Sequence, residues 1–460
     1  MTTIGQELID THCHLDMEAF EGDIDATLKR AADANIAYII NIGSDREGNI
    51  KGLQISRNYP NVYSSVGIHP HDAETFDDAL QSELRSWIKE PKVVAVGEVG
   101  LDYHYMHSSK EAQIEAFKKQ IALARDSGLP VIIHSREAED DTMKILRQEA
   151  SGIAGVLHCF SGDIKAAEEA MKLGFYISIA GPITFKKADM LREVARNIPD
   201  ERLLIETDAP YLSPEPMRGK RNEPAFLKYT AEAVAKIRGV TLEDLARITT
   251  LNAKTLFKIG VMPDKGEIAY RIRDSLYLNI TSRCTNSCGF CVRFNTSYVK
   301  GHNLKLDNEP SAEELVKAIG EPDRYKEIVF CGLGEPMLRL DVVKEISAWV
   351  KQKGGKVRIN TNGHGNLIHK RNIIPELSGI VDSLSISLDA EDAVKYEQVC
   401  KPAFTDAFNG IISFIKEAKK IIPEVTVTVV AIPEIDIDKC RAIAEELGVE
   451  LRVREFNAVG

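Results

Sequence analysis

Leu8-Ile9-Asp10-Thr11-His12-Cys13-His14 is a short run that closes on two histidines. On an extended chain, residues two apart share a face, so both imidazoles point one way and Cys13 the other. The pattern recurs downstream. Glu98 closes Val-Val-Ala-Val-Gly-Glu, His134 closes Val-Ile-Ile-His, His158 closes Gly-Val-Leu-His, and Asp208 closes Leu-Leu-Ile-Glu-Thr-Asp. Strand candidates lie near 6–11, 36–42, 62–67, 92–97, 130–134, 154–158, 174–179 and 202–206, with helical spacing between them, as at 111–127 and 163–173. Eight strand–helix units in about 250 residues predict an α/β fold, a (β/α)8 TIM-type barrel.

In a parallel barrel the functional groups project from the carboxyl ends of the strands, so these side chains are expected to converge on one face. One histidine at a strand end is ordinarily a satisfied polar residue. Several ligand-type residues, each ending its own apolar run, are costly to bury unless paired or metal-bound. They predict a divalent metal site. His69 and His71, in Gly-Ile-His-Pro-His, end another strand and are expected in a loop or lining role. Arg218, Lys220 and Arg221 follow Asp208 as a local basic cluster that reads either as a solvated loop or as phosphate contacts; Lys186 and Lys187 are weaker candidates.

At 460 residues the chain exceeds what one hydrophobic core usually serves, so two domains are expected. A net charge of −11 argues against non-specific coating of nucleic acid, while leaving room for a basic rim around a site. Three of the eight cysteines are clustered and the rest scattered, which is poor material for a disulfide framework and predicts a reducing, cytoplasmic location. There is no apolar stretch long enough to span a bilayer and no signal peptide, so no membrane partner is expected. Of the eleven histidines, those before residue 160 far outnumber those after residue 300, which fits two domains with different ligand chemistry.

The alternation restarts after Met262-Pro263-Asp264-Lys265-Gly266, the best linker. Strand candidates at 275–281, 326–331, 356–361, 381–388, 425–431 and 449–454 are too few for a closed eight-stranded barrel, so a partial (β/α)6 barrel is expected. The expected organisation is a barrel at 1–260, a linker at 261–270 and a second domain at 271–460. Between the first two of these strands lies Cys284-Thr-Asn-Ser-Cys288-Gly-Phe-Cys291. Three thiolates in so short a span suit iron–sulfur chemistry, and Gly289 lets the loop turn tightly. A three-cysteine zinc site and redox thiols are the alternative readings.

The first-half motifs Asp10-Thr11-His12-Cys13-His14-Leu15-Asp16, Gly97-Glu98-Val99-Gly100-Leu101-Asp102-Tyr103, His134-Ser135-Arg136, His158-Cys159-Phe160-Ser161-Gly162 and Glu206-Thr207-Asp208-Ala209-Pro210-Tyr211-Leu212 resemble, in order, the motif set of the TatD family of metal-dependent deoxyribonucleases. The resemblance implies His12, His14 and Asp208 on one metal, His134 and His158 on a second, and Glu98 bridging them. The ions would be Mg, Mn or Zn, and Asp208 and Glu98 would be catalytic. Two such ions activate water and polarise a phosphodiester. A DNA 3′–5′ exonuclease-like activity follows from the resemblance; the residues themselves equally suit an ester or amide.

The cysteine spacing resembles the cluster motif of the radical S-adenosylmethionine superfamily, with Phe290 in the usual aromatic position. Further motifs extend the resemblance. Gly332-Leu333-Gly334-Glu335-Pro336 is a variant of the Gly-Gly-Glu-Pro segment that binds the methionine amino group. Asn360 and Asn362 end the third strand beside the cofactor ribose, and Ser385, Ser387 and Asp389 end the fourth. Residues 425–433 resemble the strand holding the adenine. The resemblance implies a [4Fe–4S] cluster on Cys284, Cys288 and Cys291, S-adenosyl-L-methionine on its open iron, an electron donor such as flavodoxin or ferredoxin, and a 5′-deoxyadenosyl radical acting on an unknown substrate. Cys400 reads as core. The whole is expected to be a bifunctional enzyme. The alternative is a hydrolase of a small-molecule ester or amide in which one domain mainly binds or docks.

Overall fold

The computed structural model describes residues 7–262 and 264–456. Gln6 and Pro263, expected in the first strand and in the linker, lie outside the described residues with the two chain ends. The chain divides into two compact units between residues 262 and 263.

In the first unit, β1 (Leu8–Cys13), β2 (Ile36–Asn41), β3 (Val62–Val66), β4 (Val93–Asp102), β5 (Val131–Arg136), β6 (Gly155–Leu157), β7 (Phe175–Ile179) and β8 (Leu203–Ile205) form one sheet in sequence order. Every neighbouring pair is parallel. The ring closes just past the ends of β1 and β8, where Cys13 bridges to Ala209. There the Asp208 N–H donates to the His12 carbonyl at 2.9 Å and the His14 N–H to the Ala209 carbonyl at 2.8 Å. This seam brings the two strand ends that carry ligand-type side chains side by side.

Alternation along the strands sends one set of apolar side chains outward to the helices, where Leu8, Val96, Val131, Ile177 and Leu203 join the main core. The opposite set, Ile9, Ile40, Val94, Ile132, Val156 and Leu204, packs with Leu256, Phe257 and Ile259. The helix Leu242–Phe257 that supplies this plug is tied to the strand starts: Thr250 donates to the Glu7 carbonyl and Asn252 to the Leu203 carbonyl. One end of the barrel is thus filled with hydrocarbon, and the histidines occupy the other.

The fourth strand departs from expectation. The sequence pattern predicts it at 92–97 with Glu98 at its tip, but β4 runs on to Asp102. Its pairing with β5 slips between Val96 and Val99, a bulge that interrupts the alternation at Glu98 and re-aims its side chain. Glycine is needed beyond the bulge: Gly100 has φ +142°, and a Cβ there would stand 2.0 Å from the His134 carbonyl oxygen.

The second unit contains β9 (Ala269–Ile272), β10 (Ser275–Leu278), the ribbon β11 (Tyr298–Val299) and β12 (His302–Asn303), then β13 (Ile328–Phe330), β14 (Val357–Thr361), β15 (Ser383–Ser387), β16 (Glu424–Ala431) and β17 (Glu450–Glu455). The main sheet has the order β17-β16-β15-β14-β13-β10-β9, and its end strands do not pair with each other. Its six parallel strands match the expected partial barrel. The added strand β9 runs antiparallel to β10 and begins inside the segment expected to be linker. Four residues reading Ala-Tyr-Arg-Ile are too short to announce themselves by periodicity; pairing with β10 makes the strand. Along β14 and β15 the buried residues Ile359, Leu384 and Ile386 face the helices, while Arg358, Asn360, Ser385 and Ser387 share the opposite, polar face.

Candidate functional site

At the open end of the barrel the Nε2 atoms of His12 and His14 lie 3.2 Å apart. Asp208 Oδ1 stands 3.6 Å from each, and Glu98 Oε2 stands 3.4 Å from His12 Nε2 and 3.7 Å from His14 Nε2. The other oxygen of Glu98 faces a second set: Oε1 is 2.9 Å from His134 Nδ1 and 2.7 Å from His158 Nε2, which are 3.2 Å from one another. Donors about 2.1 Å from a shared ion stand roughly 3 to 3.4 Å apart, and both sets, with separations from 2.7 to 3.7 Å, lie near that spacing. His12, His14, Glu98, His134, His158 and Asp208, the six barrel residues that the resemblance implies as ligands, therefore meet, with Glu98 between the two sets.

The electrostatics suit cations. Burial pushes the Glu98 carboxyl up, but His158, His69 and His12 outweigh it and hold the group well below the usual carboxylate range. Asp208 is likewise held down, against burial, by its hydrogen bond with His14 and by the neighbouring imidazoles. At His14 burial opposes protonation, yet Asp208 and Glu98 lift the imidazole to about 9, so an ion loading there exchanges against a proton. Asp208 sits in the left-handed region at φ 55°, backbone strain that the seam with His12 maintains.

Three supporting residues escaped the sequence reading. Asp102 Oδ2 lies 3.1 Å from His134 Nε2 and 3.1 Å from His71 Nε2; by accepting the Nε2 hydrogen it would leave His134 Nδ1 able to ligate an ion. Its Oδ1 accepts from the His104 and Tyr105 N–H groups at 3.0 and 2.9 Å. Glu206 stands 3.3 Å from His158 Nδ1, and Asp10 accepts from the Thr207 N–H at 2.9 Å and its hydroxyl at 2.6 Å, holding the turn before Asp208. His69, expected only to line the pocket, lies 3.6 Å from Glu98 Oε1 and offers a donor in one group with Glu98 and His134. Asp102 and Glu206 lie inside the quoted motifs; their signal was a carboxylate next to a ligand-type residue. Asp102→Asn is expected to weaken divalent-ion affinity by about 10- to 100-fold with the fold intact, measured by calorimetric titration of Mn²⁺.

The basic cluster divides. Arg221 donates to the Ala19 carbonyl at 2.6 Å and to Asp23 at 2.6 Å, so it braces the loop instead of awaiting phosphate. Arg218 stacks 3.9 Å over the Phe185 ring. Among the described residues none of Arg218, Lys220, Arg221, Lys186 and Lys187 bonds to the donor sets. A different rim stands out. Tyr105 is 52% exposed, with the Arg136 guanidinium 4.7 Å from its ring centroid and His71 edge-on at 5.5 Å.

In the second unit the cysteine loop is pinned by main-chain bonds to the end of the helix Ala393–Cys400 and the segment just after it. Ser287 N–H donates to the Cys400 carbonyl at 2.9 Å, Gly289 N–H to Val399 at 3.1 Å, and Ala403 N–H to Thr285 at 2.8 Å. Cys284, Cys288 and Cys291 are free thiols, each partly exposed. The Asn286 N–H points at Cys284 Sγ from 3.5 Å, and the Asn362 amide from 3.8 Å, as for a ligating thiolate. Three thiols on one turn with N–H groups aimed at sulfur fit an iron–sulfur cluster. Cys400 is buried in the core, where its hydrogen bond with Cys288 and its burial push its thiol well up and keep it protonated.

The Gly-Leu-Gly-Glu-Pro variant has a packing explanation. A Cβ at Gly332 would meet Asn279 Oδ1 at 2.3 Å, and one at Gly334 would meet the Thr281 and Arg283 carbonyl oxygens at 2.4 Å. Both glycines press against the strand leading into the cysteine loop. Glu335 is buried and accepts from the Asn362 N–H at 2.7 Å, the Thr361 hydroxyl at 2.7 Å and the Met337 N–H at 2.9 Å. Its carboxylate therefore ties the ends of β13 and β14 together, while burial pushes its pKa up to about 7. Pro336 opens the following turn. Asn360 Oδ1 accepts from Arg358 at 2.8 Å. Asp389 is buried at φ 50° with Oδ1 unpartnered, near Ser387 at the end of β15.

A barrel with a carboxylate between two donor sets, joined to a partial barrel with a three-cysteine loop, defines a two-domain metalloenzyme. A TatD related DNase model matches residues 9–258 and a Radical SAM superfamily model matches residues 278–447. The chain belongs to the TatD related DNase family and carries a radical SAM domain after the barrel. Over the barrel it is 46% identical to the metal-dependent hydrolase YabD of Bacillus subtilis, covering 55% of this chain and 100% of that protein. It is 37% identical to the 3′-5′ ssDNA/RNA exonuclease TatD of Musicola paradisiaca, covering 56% of this chain and 100% of that one. The crystal structure of the TatD homologue YJJV from Escherichia coli K12 superposes with a TM-score of 0.53 at 33% identity, covering 55% of this chain and 98% of that one. Among the described residues no helix is long and apolar enough to cross a membrane.

Proposed function

We propose that the chain is a bifunctional cytoplasmic enzyme. Residues 1–260 hydrolyse phosphodiester bonds of single-stranded nucleic acid from the 3′ end with two divalent ions. Residues 271–460 hold a [4Fe–4S] cluster and S-adenosylmethionine, fed by a flavodoxin or ferredoxin, and act on a separate substrate. The observation that carries the hydrolase reading is Glu98, whose two oxygens face two separate histidine sets. His12, His14, Asp208 and Glu98 would hold one ion, and Glu98, His134 and His158 the other. Ions held there would supply Lewis acidity and a water that ionises near neutral pH. Asp208 is the base: its carboxylate stays ionised and takes the proton from the attacking water.

A strand of nucleic acid is favoured over a small ester by the rim at Tyr105. A half-exposed ring flanked by a guanidinium is a platform for an unstacked base, and such stacking contributes about 1–3 kcal/mol per base. Tyr105→Ala is therefore expected to raise KM on a single-stranded oligonucleotide by about tenfold or more, with little change on bis(p-nitrophenyl) phosphate, which has no base to stack. Wild-type activity on the small ester with none on the oligonucleotide sinks the nucleic-acid reading.

In the second domain the Cys284, Cys288 and Cys291 thiolates would hold the cluster. It would supply the electron that cleaves S-adenosylmethionine. Around it, Gly332 and Gly334 keep the backbone of the β13 loop close beneath the cysteine loop, and Asn360, Asn362, Ser387 and Asp389 present polar groups at neighbouring strand ends.

A further inference from the structure

Behind the cysteine loop lies a run of polar side chains withdrawn from solvent. His364 is 0% exposed, Tyr396 1%, Asn286 5% and Asn362 8%. The Asn286 amide donates to the Tyr396 hydroxyl at 2.8 Å. The phenol oxygen, already accepting there, donates its own hydrogen to His364 Nε2 at 3.1 Å. Nε2 is then the acceptor nitrogen, so Nδ1 carries the hydrogen and donates to Thr285 Oγ1 at 2.9 Å. Thr285 Oγ1 also accepts one hydrogen of the Asn362 amide at 2.7 Å, and the other amide hydrogen lies toward Cys284 Sγ at 3.8 Å. The His364 main-chain N–H closes the circuit on Asn362 Oδ1 at 3.1 Å. Burial pushes the imidazole pKa down to about 4, in keeping with a neutral ring.

The circuit reaches the cysteine loop at the Cys284 sulfur. We infer that His364 is a positioning residue for Cys284: through Thr285 and Asn362 it fixes the N–H groups that face the sulfur, and so helps set the reduction potential of a cluster bound there. The inference rests on the reading of the cysteine loop as a cluster site. Hydrogen bonds to cluster sulfurs and shielding from solvent are established determinants of iron–sulfur potentials. The reduced cluster carries one more negative charge, so an N–H aimed at sulfur stabilises it and raises the potential. Without the His364 donor the Thr285 hydroxyl is free to rotate, the Asn362 amide loses its fixed acceptor, and the contact with Cys284 weakens. Aromatic packing of the imidazole against Phe404 at 5.7 Å adds a bland structural role, which a potential measurement separates from the electrostatic one.

The test uses the full chain, reconstituted anaerobically with iron and sulfide, with the midpoint potential read by titration followed by electron paramagnetic resonance. His364→Phe and Thr285→Val are each expected to take up iron as the wild type does and to titrate at a more negative potential. The double variant should shift no further than the larger single shift, and His364→Gln, which restores a donor toward Thr285, should recover part of it. A wild-type midpoint in either single variant overturns the inference. Should His364→Phe fail to bind iron, Thr285→Val, whose side chain is only partly buried, decides alone. Failure of both to bind iron at unchanged Tm means that the network holds the cluster and does not tune it, which also overturns the inference. A wild-type protein that takes up no iron, or gives no reducible signal, instead refutes the cluster reading on which all this rests.

Discussion

Asp208→Asn is expected to slow Mn²⁺-dependent hydrolysis of a single-stranded oligonucleotide by roughly 10²- to 10⁴-fold, the range that a positioned general base supplies. The substitution keeps shape and removes charge. It neutralises the carboxylate whose Oδ1 stands 3.6 Å from both His12 and His14 Nε2, and so removes the proton acceptor for the attacking water. The fold should survive, because Asn tolerates the left-handed φ of 55° found at this position, and the barrel seam uses the Asp208 main chain. Thermal unfolding should therefore be little changed while turnover collapses. Equal rates for the two proteins would remove Asp208 from the chemistry.

Cys291→Ala is expected to abolish the second activity outright. Two thiolates cannot hold the cube that three were placed to hold, so cluster iron should fall to background after anaerobic reconstitution, and no 5′-deoxyadenosine should form from S-adenosylmethionine and dithionite. Oligonucleotide hydrolysis should be unaffected, since the barrel's donor sets contain no cysteine. The same loss is expected at Cys284 and Cys288, whereas Cys400→Ala should retain the cluster, because that thiol is buried and protonated. Iron retained at wild-type level in Cys291→Ala would contradict the assignment of the loop.

The sequence carried the architecture well because parallel barrels write themselves as repeated short apolar runs. Each of the first eight runs became a strand within a few residues, and the ligand-type side chains at their ends met as expected. The departures have local causes. Glu98 proved to be inside a strand, since a bulge looks the same in sequence as a strand end followed by a loop. β9 was hidden in the expected linker because a short edge strand has little periodicity of its own. For Arg221 the sequence leaves a solvated loop and a phosphate contact equally open, because charge patterning cannot reveal that Asp23 and the Ala19 carbonyl already engage it.

Supporting residues were the least legible. Asp102 gives no sign in sequence that it serves both His71 and His134, because that role depends on β4 extending past its bulge. His364 and Tyr396 are far apart along the chain and ordinary in context; only the pairing of β14 with β15 and the docking of the cysteine loop bring them together. Glu335 shows the reverse case. Its motif was plain, yet its carboxylate is engaged by three donors from its own chain, so its contribution is to join two strand ends.

The most direct test is elemental analysis of the anaerobically prepared full chain in which Cys284, Cys288 and Cys291 are all replaced by Ala, so that cluster iron is absent and only the barrel's ions are counted. Two divalent ions per chain are predicted, falling to one or fewer when Glu98→Gln is added, because Glu98 stands between the two donor sets. A protein that binds a single ion, with the same count after Glu98→Gln, would contradict the two-metal centre.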